Sequence, residues 1–350
     1  MKKVLLSLLI TGCGLLALTA QDMHFTQFYA APLTLNPALT GLFDGKYRIS
    51  AIYRDQWRGG LEDPYQTFAA SVDLRFELDY NPTVNDAAAG GLLFFSDQSR
   101  GNLVTNQMAF FGAFHKALDI KQVQFLSAGF QVGLAQSNLG GNNFSFADQF
   151  NGIDGYTNPT GEQLPENNIS YTDLGVGVHY TVTPNRNFSF NAGGAVHHFN
   201  RPRISFYEEA EDPDDRLDAE RMYIKYSAQL GLRMALTNNV QIQPRLNGAL
   251  QGPHWQANAG ANFRILLEEY NSSALHLGAW VRPVTDIDET VALDAVVILA
   301  GFELNNLLLG LSYDIHANNT TSFNGDLGVF EVSISYLGEY ENETLMCPRF

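Results

Sequence analysis

Thr67-Phe68-Ala69-Ala70-Ser71-Val72-Asp73-Leu74-Arg75-Phe76 decides the fold. Successive side chains of an extended chain point to opposite sides, so Phe68, Ala70, Val72, Leu74 and Phe76 share one face while Thr67, Ala69, Ser71, Asp73 and Arg75 share the other. Such strict alternation predicts a strand. The rhythm continues on both sides of this stretch. Upstream, Tyr47, Ile49, Ala51 and Tyr53 alternate with Lys46, Arg48, Ser50 and Arg54. Downstream, Ile224, Tyr226, Ala228, Leu230 and Leu232 oppose Lys225, Ser227, Gln229 and Arg233, and Val240, Ile242, Leu246 and Leu250 oppose Gln241, Gln243, Arg245, Asn247 and Gln251. At the end Leu307, Leu309, Leu311, Tyr313 and Ile315 face away from Asn306, Gly310, Ser312, Asp314 and His316, and Phe330, Val332, Ile334 and Tyr336 face away from Glu331, Ser333 and Ser335.

Two architectures accept such strands: a soluble sandwich with its apolar faces inward, or a membrane barrel with the sense reversed. Length favours the barrel, because these strands run about 10 to 14 residues, whereas globular strands average about 5–6 and a tilted membrane strand needs about 9–11. The small or polar residues Ser71, Gly129, Gln131, Gly133, Gly260 and Asn262 on the non-apolar face suit a crowded, wet interior. Strands are expected near 46–57, 64–77, 86–97, 103–116, 121–134, 169–180, 187–199, 221–236, 239–251, 255–266, 273–282, 291–300, 305–316 and 326–337. That count, about 14, is even, as single-chain outer-membrane barrels require. The predicted fold is therefore all-β: a single transmembrane antiparallel barrel with long extracellular loops and short periplasmic turns. With the N-terminus inside, the longest insertions, 135–168 and 200–220, fall on the outer side, and turns such as Thr237-Asn238-Asn239 fall on the periplasmic side.

Composition agrees. Only 17% of the 350 residues are charged, against about 25% in an ordinary soluble domain. The formal charge of -16 argues against nucleic acid as a partner, since phosphate binding needs a basic face. After the N-terminus no apolar run approaches the roughly 18 residues that a membrane helix needs. Lys2 and Lys3 ahead of the apolar run Val4 to Leu18 read as a signal peptide, residues 1–20, cleaved after Ala20. A rival reading takes Ile10-Thr11-Gly12-Cys13 as a lipobox. If Cys13 leaves with the signal, Cys347 is the only thiol and no internal disulfide forms. Residues 21–45 then form an N-terminal periplasmic or plug segment, and 46–350 the barrel.

Chemistry-bearing motifs are sparse. His115, His179, His197, His198, His276 and His316 show no metal-ligand spacing, and adjacency should point His197 and His198 to opposite faces of a strand. The acids between Glu208 and Glu220 offer hard oxygen ligands for Ca²⁺ but lack the regular loop spacing, so a solvated outer loop is the simpler reading. No other cofactor is expected. Gly310-Leu311-Ser312-Tyr313-Asp314 fails as a nucleophile elbow at its last position, and a pair such as Asp97 with His316 needs an assumed register. The chain reads as a non-enzyme.

The segment Gln21 to Gly41 is too aromatic and apolar for a free tail. It contains Phe25-Thr26-Gln27-Phe28-Tyr29, Pro32-Leu33, Asn36-Pro37-Ala38 and Gly41. Together with Tyr53-Arg54-Asp55-Gln56-Trp57, Ser71-Val72-Asp73, Gly278-Ala279-Trp280-Val281-Arg282-Pro283, Ser312-Tyr313-Asp314, Phe330 to Tyr336 and Cys347-Pro348-Arg349-Phe350, it resembles the PorP/SprF family of type IX secretion system outer-membrane proteins. The stretch Ala87-Ala88-Ala89-Gly90-Gly91 departs from the Gly-x-Gly pattern expected there. The resemblance implies an outer-membrane component of the type IX secretion and gliding motility apparatus. It would sit in outer-membrane lipid, anchor periplasmic secretion components and help a large secreted surface protein reach or stay on the cell. Phe25, Phe28, Tyr29, Asn36, Pro37, Arg54, Trp57, Trp280, Arg282, Tyr313 and Asp314 are the partner-docking residues it implies. A passive porin for small solutes is the alternative reading, because the same fold and polar interior serve it.

Overall fold

In the computed structural model fourteen antiparallel strands close into one barrel. They are β1 (Tyr47–Gln56), β2 (Tyr65–Leu78), β3 (Asp86–Ser99), β4 (Leu103–Ala117), β5 (Gln124–Leu139), β6 (Asn168–Asn185) and β7 (Phe188–His197). The second half comprises β8 (Lys225–Ala235), β9 (Val240–Gln251), β10 (His254–Glu268), β11 (Ser273–Thr285), β12 (Val291–Leu304), β13 (Leu307–His316) and β14 (Val329–Gly338). The structure describes residues 22–61, 63–78, 86–99, 103–140, 146–153, 155–161, 167–206, 221–268, 273–285, 290–317 and 328–338. The expected signal peptide with Cys13, the acidic stretch 208–220 with its Ca²⁺ alternative, and Cys347 and Phe350 lie outside them.

Every strand pairs with its sequence neighbours, and β1 closes the ring on β14 from Tyr47 opposite Gly338 to Gln56 opposite Val329. Strand length ranges from 10 to 18 residues, enough to cross a bilayer with tilt. The alternation read from the sequence has the membrane sense. On β2, Phe68, Val72, Leu74 and Phe76 are exposed to the lipid side, while Thr67, Ala69, Ser71, Asp73 and Arg75 are buried within. No helix among the described residues is long and apolar enough to cross a membrane.

Two register slips lie beside a proline, which removes a ladder N–H, and a further one, between Leu266 and Glu268 on β10, has none beside it. Of the first two, one lies between Arg282 and Pro283 on β11, and the other lies between Val182 and Asn185 on β6, around Pro184. The largest boundary differences are in β5, which continues to Leu139, and β6, which runs to Asn185. The β1 and β14 termini lie at one end with the turns 118–123, 186–187, 236–239 and 305–306, which makes this the periplasmic end. The long connections 140–167 and 198–224 emerge at the other, although 100–102 and 252–253 there are short.

Candidate functional site: the lumen and its N-terminal plug

Residues 22–46 run through the barrel interior as a plug built on three short 3-10 helices, Phe28–Ala30, Pro32–Thr34 and Pro37–Leu39. Proline opens two of them, where its fixed φ suits the first turn and its missing N–H costs nothing. The Asn36 side chain caps the third by accepting from Ala38 N at 2.9 Å. Phe25, Leu33 and Ala30 pack on Leu93 and Phe111, and Phe28, Leu39 and Leu42 pack on Trp280 and Val297. Each of these Phe and Leu side chains contributes on the order of 1.5–3 kcal/mol of burial. Ala87, Ala89, Gly91 and Leu93 make the inner face of β3 apolar, and Ala295, Val297 and Leu299 do the same on β12, where the plug's apolar side chains lie.

The plug descends from the outer mouth to the periplasmic one. At the outer end both ring nitrogens of His198 donate to carboxylates, Nδ1 to Asp173 at 2.7 Å and Nε2 to Asp22 at 2.6 Å, and Lys225 Nζ reaches Asp22 at 3.2 Å. His198 has φ +55, a left-handed conformation that ends β7 and turns its ring inward beside His197. The expected opposite facing of this pair is therefore overturned; both are buried in the lumen.

Next comes a cluster of buried charges around Thr26 and Gln27. The Glu331 carboxylate accepts the backbone N–H of Thr26 at 2.8 Å and that of Gln27 at 2.9 Å, and Arg54 Nη1 donates to it at 2.6 Å. Arg282 Nη2 donates to Asp314 at 2.6 Å, its Nε to Asp294 at 2.7 Å and its Nη1 to Thr26 Oγ1 at 2.9 Å. Thr26 Oγ1 donates in turn to Asp314 at 2.7 Å. The Gln27 amide is satisfied by Ser312, Ser333 and the Glu331 carbonyl. Arg54, Asp314 and Glu331 are at most 2% exposed, so these ions are held by pairing and hydrogen bonding, as buried charge demands.

Midway, Asn36 Nδ2 donates to the carbonyls of Val178 and Gly194, and His197 and Ser227 donate to the Leu35 carbonyl. The inward glycines Gly129 and Gly177 make room here: a Cβ on Gly129 would collide with the Pro37 carbonyl, and one on Gly177 with the Asn36 amide. Near the periplasmic end Arg48 binds Asp73 bidentately at 3.0 and 2.6 Å and donates to the Leu39 carbonyl, while Asp73 also accepts from Gly41 N. His115 Nε2 donates to the Thr40 carbonyl and its Nδ1 accepts from Ser127. Below Tyr29 and Ala30 a cavity of about 800 Å³ reaches the periplasmic turns.

Nine of the eleven residues singled out in the sequence meet in this lumen. Phe25 packs edge-on to Phe95, Phe28 edge-on to Trp280, and Tyr29 stacks on Trp280, whose Nε1 donates to Asn262. Asn36, Pro37, Arg54, Arg282 and Asp314 hold the plug as above. Trp57 and Tyr313 stand apart. Trp57 caps the outer rim, donating from Nε1 to His316, and Tyr313 faces outward toward lipid. Asp97 and His316 do not pair: Asp97 accepts from Thr67 and Ser99, and His316 sits by Asp294. Thr26, Gln27 and Glu331 were not singled out, yet they form the centre of the lock.

The sequence profile of the type IX secretion system membrane protein PorP/SprF family matches residues 17–336. This chain belongs to the PorP/SprF family. No curated protein matches it. Among solved structures, this PorP/SprF barrel resembles the Pseudomonas putida toluene transporter TodX, with a TM-score of 0.53 at 10% identity over 91% of this chain and 98% of TodX. It also resembles the monoaromatic hydrocarbon channel CymD, with a TM-score of 0.51 at 9% identity over 89% of this chain and 94% of CymD. At such identity the likeness is one of fold. Family and fold together place the PorP/SprF chain in the outer membrane of a Gram-negative bacterium, as a membrane component of type IX secretion.

The outer latch of the plug is sensitive to pH. Burial works against the charged form of His198, but the Asp22 and Asp173 carboxylates overcome it and push its pKa up to about 9. Burial likewise opposes ionised Asp22, and the Lys225 and His198 cations outweigh it to hold Asp22 well below the usual carboxylate range. A raised histidine stabilises fully below its unfolded pKa of about 6.5 and loses that contribution as pH climbs through the folded value. A nitroxide on Met23→Cys in a Cys347→Ser background should therefore stay immobile between about pH 5 and 6.5 and gain mobility toward about pH 9. Electron paramagnetic resonance line shapes that do not change across that range would contradict the latch.

Proposed function

We propose that this PorP/SprF protein is a closed outer-membrane anchor of the type IX secretion and gliding motility apparatus. Its periplasmic end binds secretion components, and its long outer connections, 140–167 and 198–224, hold a large secreted surface protein during secretion or attachment. The observation that carries the reading is the Glu331 carboxylate clasping the Thr26 and Gln27 backbone inside the lumen. A lumen filled by the chain's own N-terminal segment suits an anchor better than a diffusion pore. The expected docking residues then act by fixing the plug, and partners meet the surfaces at the two mouths. The acidic stretch 208–220 gives the outer face a negative charge that attracts a basic or Ca²⁺-bearing cargo.

Affinity purification of the intact chain from solubilised outer membrane should recover periplasmic type IX components together with a large surface protein. Recovery of the barrel alone would overturn the anchoring role. A second reading, a passive porin for small solutes, is favoured by the periplasmic cavity, which hollows out part of the lumen. Conductance separates the two.

A further inference from the structure

The periplasmic cavity carries the opposite charge to the protein as a whole. The chain has a formal charge of -16, yet Arg48, Lys121, Arg186, Arg233, Arg245 and Arg264 line this space against only two lining carboxylates, Asp44 and Glu303. Arg48 is answered locally by Asp73, and Arg264 by a bidentate bond to Glu303 at 2.7 and 2.9 Å. Arg245 is not answered by a carboxylate among the described residues. Its guanidinium lies 4.5 Å over the Tyr29 ring and its Nη2 donates to Gln243, while its Nη1 is buried without a hydrogen-bond partner. A cation so placed is costly until an anion reaches it.

We propose that this vestibule binds an acidic peptide segment of a periplasmic partner, with its carboxylates on the Arg and Lys side chains. The inference rests on the anchoring reading and supplies the chemistry of the contact. Guanidinium forks match carboxylates in geometry. The six cations come from four strands and two turns around the wall, an arrangement that suits several charges along a chain better than one compact anion. Gln241, Gln243 and Asn191 on the same wall can pair with peptide groups, and Phe43 and Leu308 offer apolar contact. The volume, about 800 Å³, is in the range of ligand sites, roughly 300–1,000 Å³. The barrel wall is closed, so access is from the periplasmic mouth rather than from the bilayer.

The test is fluorescence anisotropy of the full-length protein in detergent with a labelled peptide of alternating glutamate and glycine. Saturable binding is expected. It should weaken at least about tenfold in the double variant Lys121→Gln/Arg186→Gln, and again when salt is raised until the Debye length falls to about 3 Å. Both replaced side chains are exposed on turns, so this variant keeps the fold. Arg245→Gln should weaken binding likewise, and a lysine-glycine peptide should not bind. Absence of saturable binding, or affinity in both variants equal to that of the parent protein, would overturn the proposal. Competition by inorganic phosphate as effective as that of the peptide would also overturn it, by showing a small-anion site instead. Partner recovery with no peptide binding would sink this inference alone, whereas peptide binding without partner recovery would sink the anchoring reading.

Discussion

Deletion of residues 22–41 should turn an electrically silent barrel into an open channel. The sheet does not depend on these residues, because β1 begins at Tyr47 and pairs with β14 and β2 without them. What they supply is the filling: Phe25, Phe28, Leu33, Leu35 and Leu39 are all buried between the walls. Once they are removed, the inward face retains Arg48, Arg54, Asp73, Arg282, Asp314 and Glu331, a polar lining that water will wet. Fourteen strands enclose more than the eight-stranded barrels whose side chains fill the interior, and slightly less than the 16 to 18 strands of water-filled porins. Planar-bilayer recording of the deleted and intact proteins checks this. A deleted form that still inserts and still conducts nothing would show that another element seals the lumen.

Glu331→Ala is expected to loosen the plug by about 3–5 kcal/mol, the cost of breaking a buried ion pair from one side. Three donors lose their acceptor together: Arg54 Nη1 and the backbone N–H groups of Thr26 and Gln27. Asp314, 3.7 Å from Arg54, is already engaged by Arg282 and Thr26 and compensates poorly. The lesion is one of pairing rather than volume, so Arg54→Met/Glu331→Leu should recover part of the loss. Thermal unfolding in detergent of the two variants beside the parent measures both effects. A Glu331→Ala protein as stable as the parent would contradict the role given to the lock.

The barrel was legible because lipid on one side and a polar lumen on the other impose period two on almost every strand. The pattern fails where that contrast ends. At the outer end of β5, Gln136, Ser137 and Asn138 are polar on both faces, yet the ladder continues against β6 to Asn138 opposite Asn168. The turn inward at His198 depends on one positive φ at a residue type that carries no glycine signal.

The lock was half legible. Arg54, Arg282 and Asp314 stand in the motifs that carry the family resemblance, as do Thr26, Gln27 and Glu331, but the motifs do not tell which of these residues meet. Arg54 and Glu331 are 277 residues apart and meet only because β1 closes on β14 in one register, which local sequence does not encode. The vestibule is less legible still. Lys121, Arg186, Arg233 and Arg245 form no cluster along the chain, and closure of the barrel brings them to one wall.

The central claim is that the N-terminal segment lies inside the barrel in one fixed arrangement, and a disulfide tests it directly. Thr40 Cγ2 lies 3.0 Å from the position of a Cβ on Gly91 of β3. That is close to the spacing a disulfide sets between one sulfur and the far Cβ, given an S–S bond of about 2.05 Å. The variant Thr40→Cys/Gly91→Cys, made with Cys347→Ser, should oxidise to a single intramolecular bond, seen by mass spectrometry as a peptide from 22–46 joined to one from β3. Two free thiols under the same oxidation, both alkylated in the folded barrel, would mean that the segment does not occupy the lumen as described.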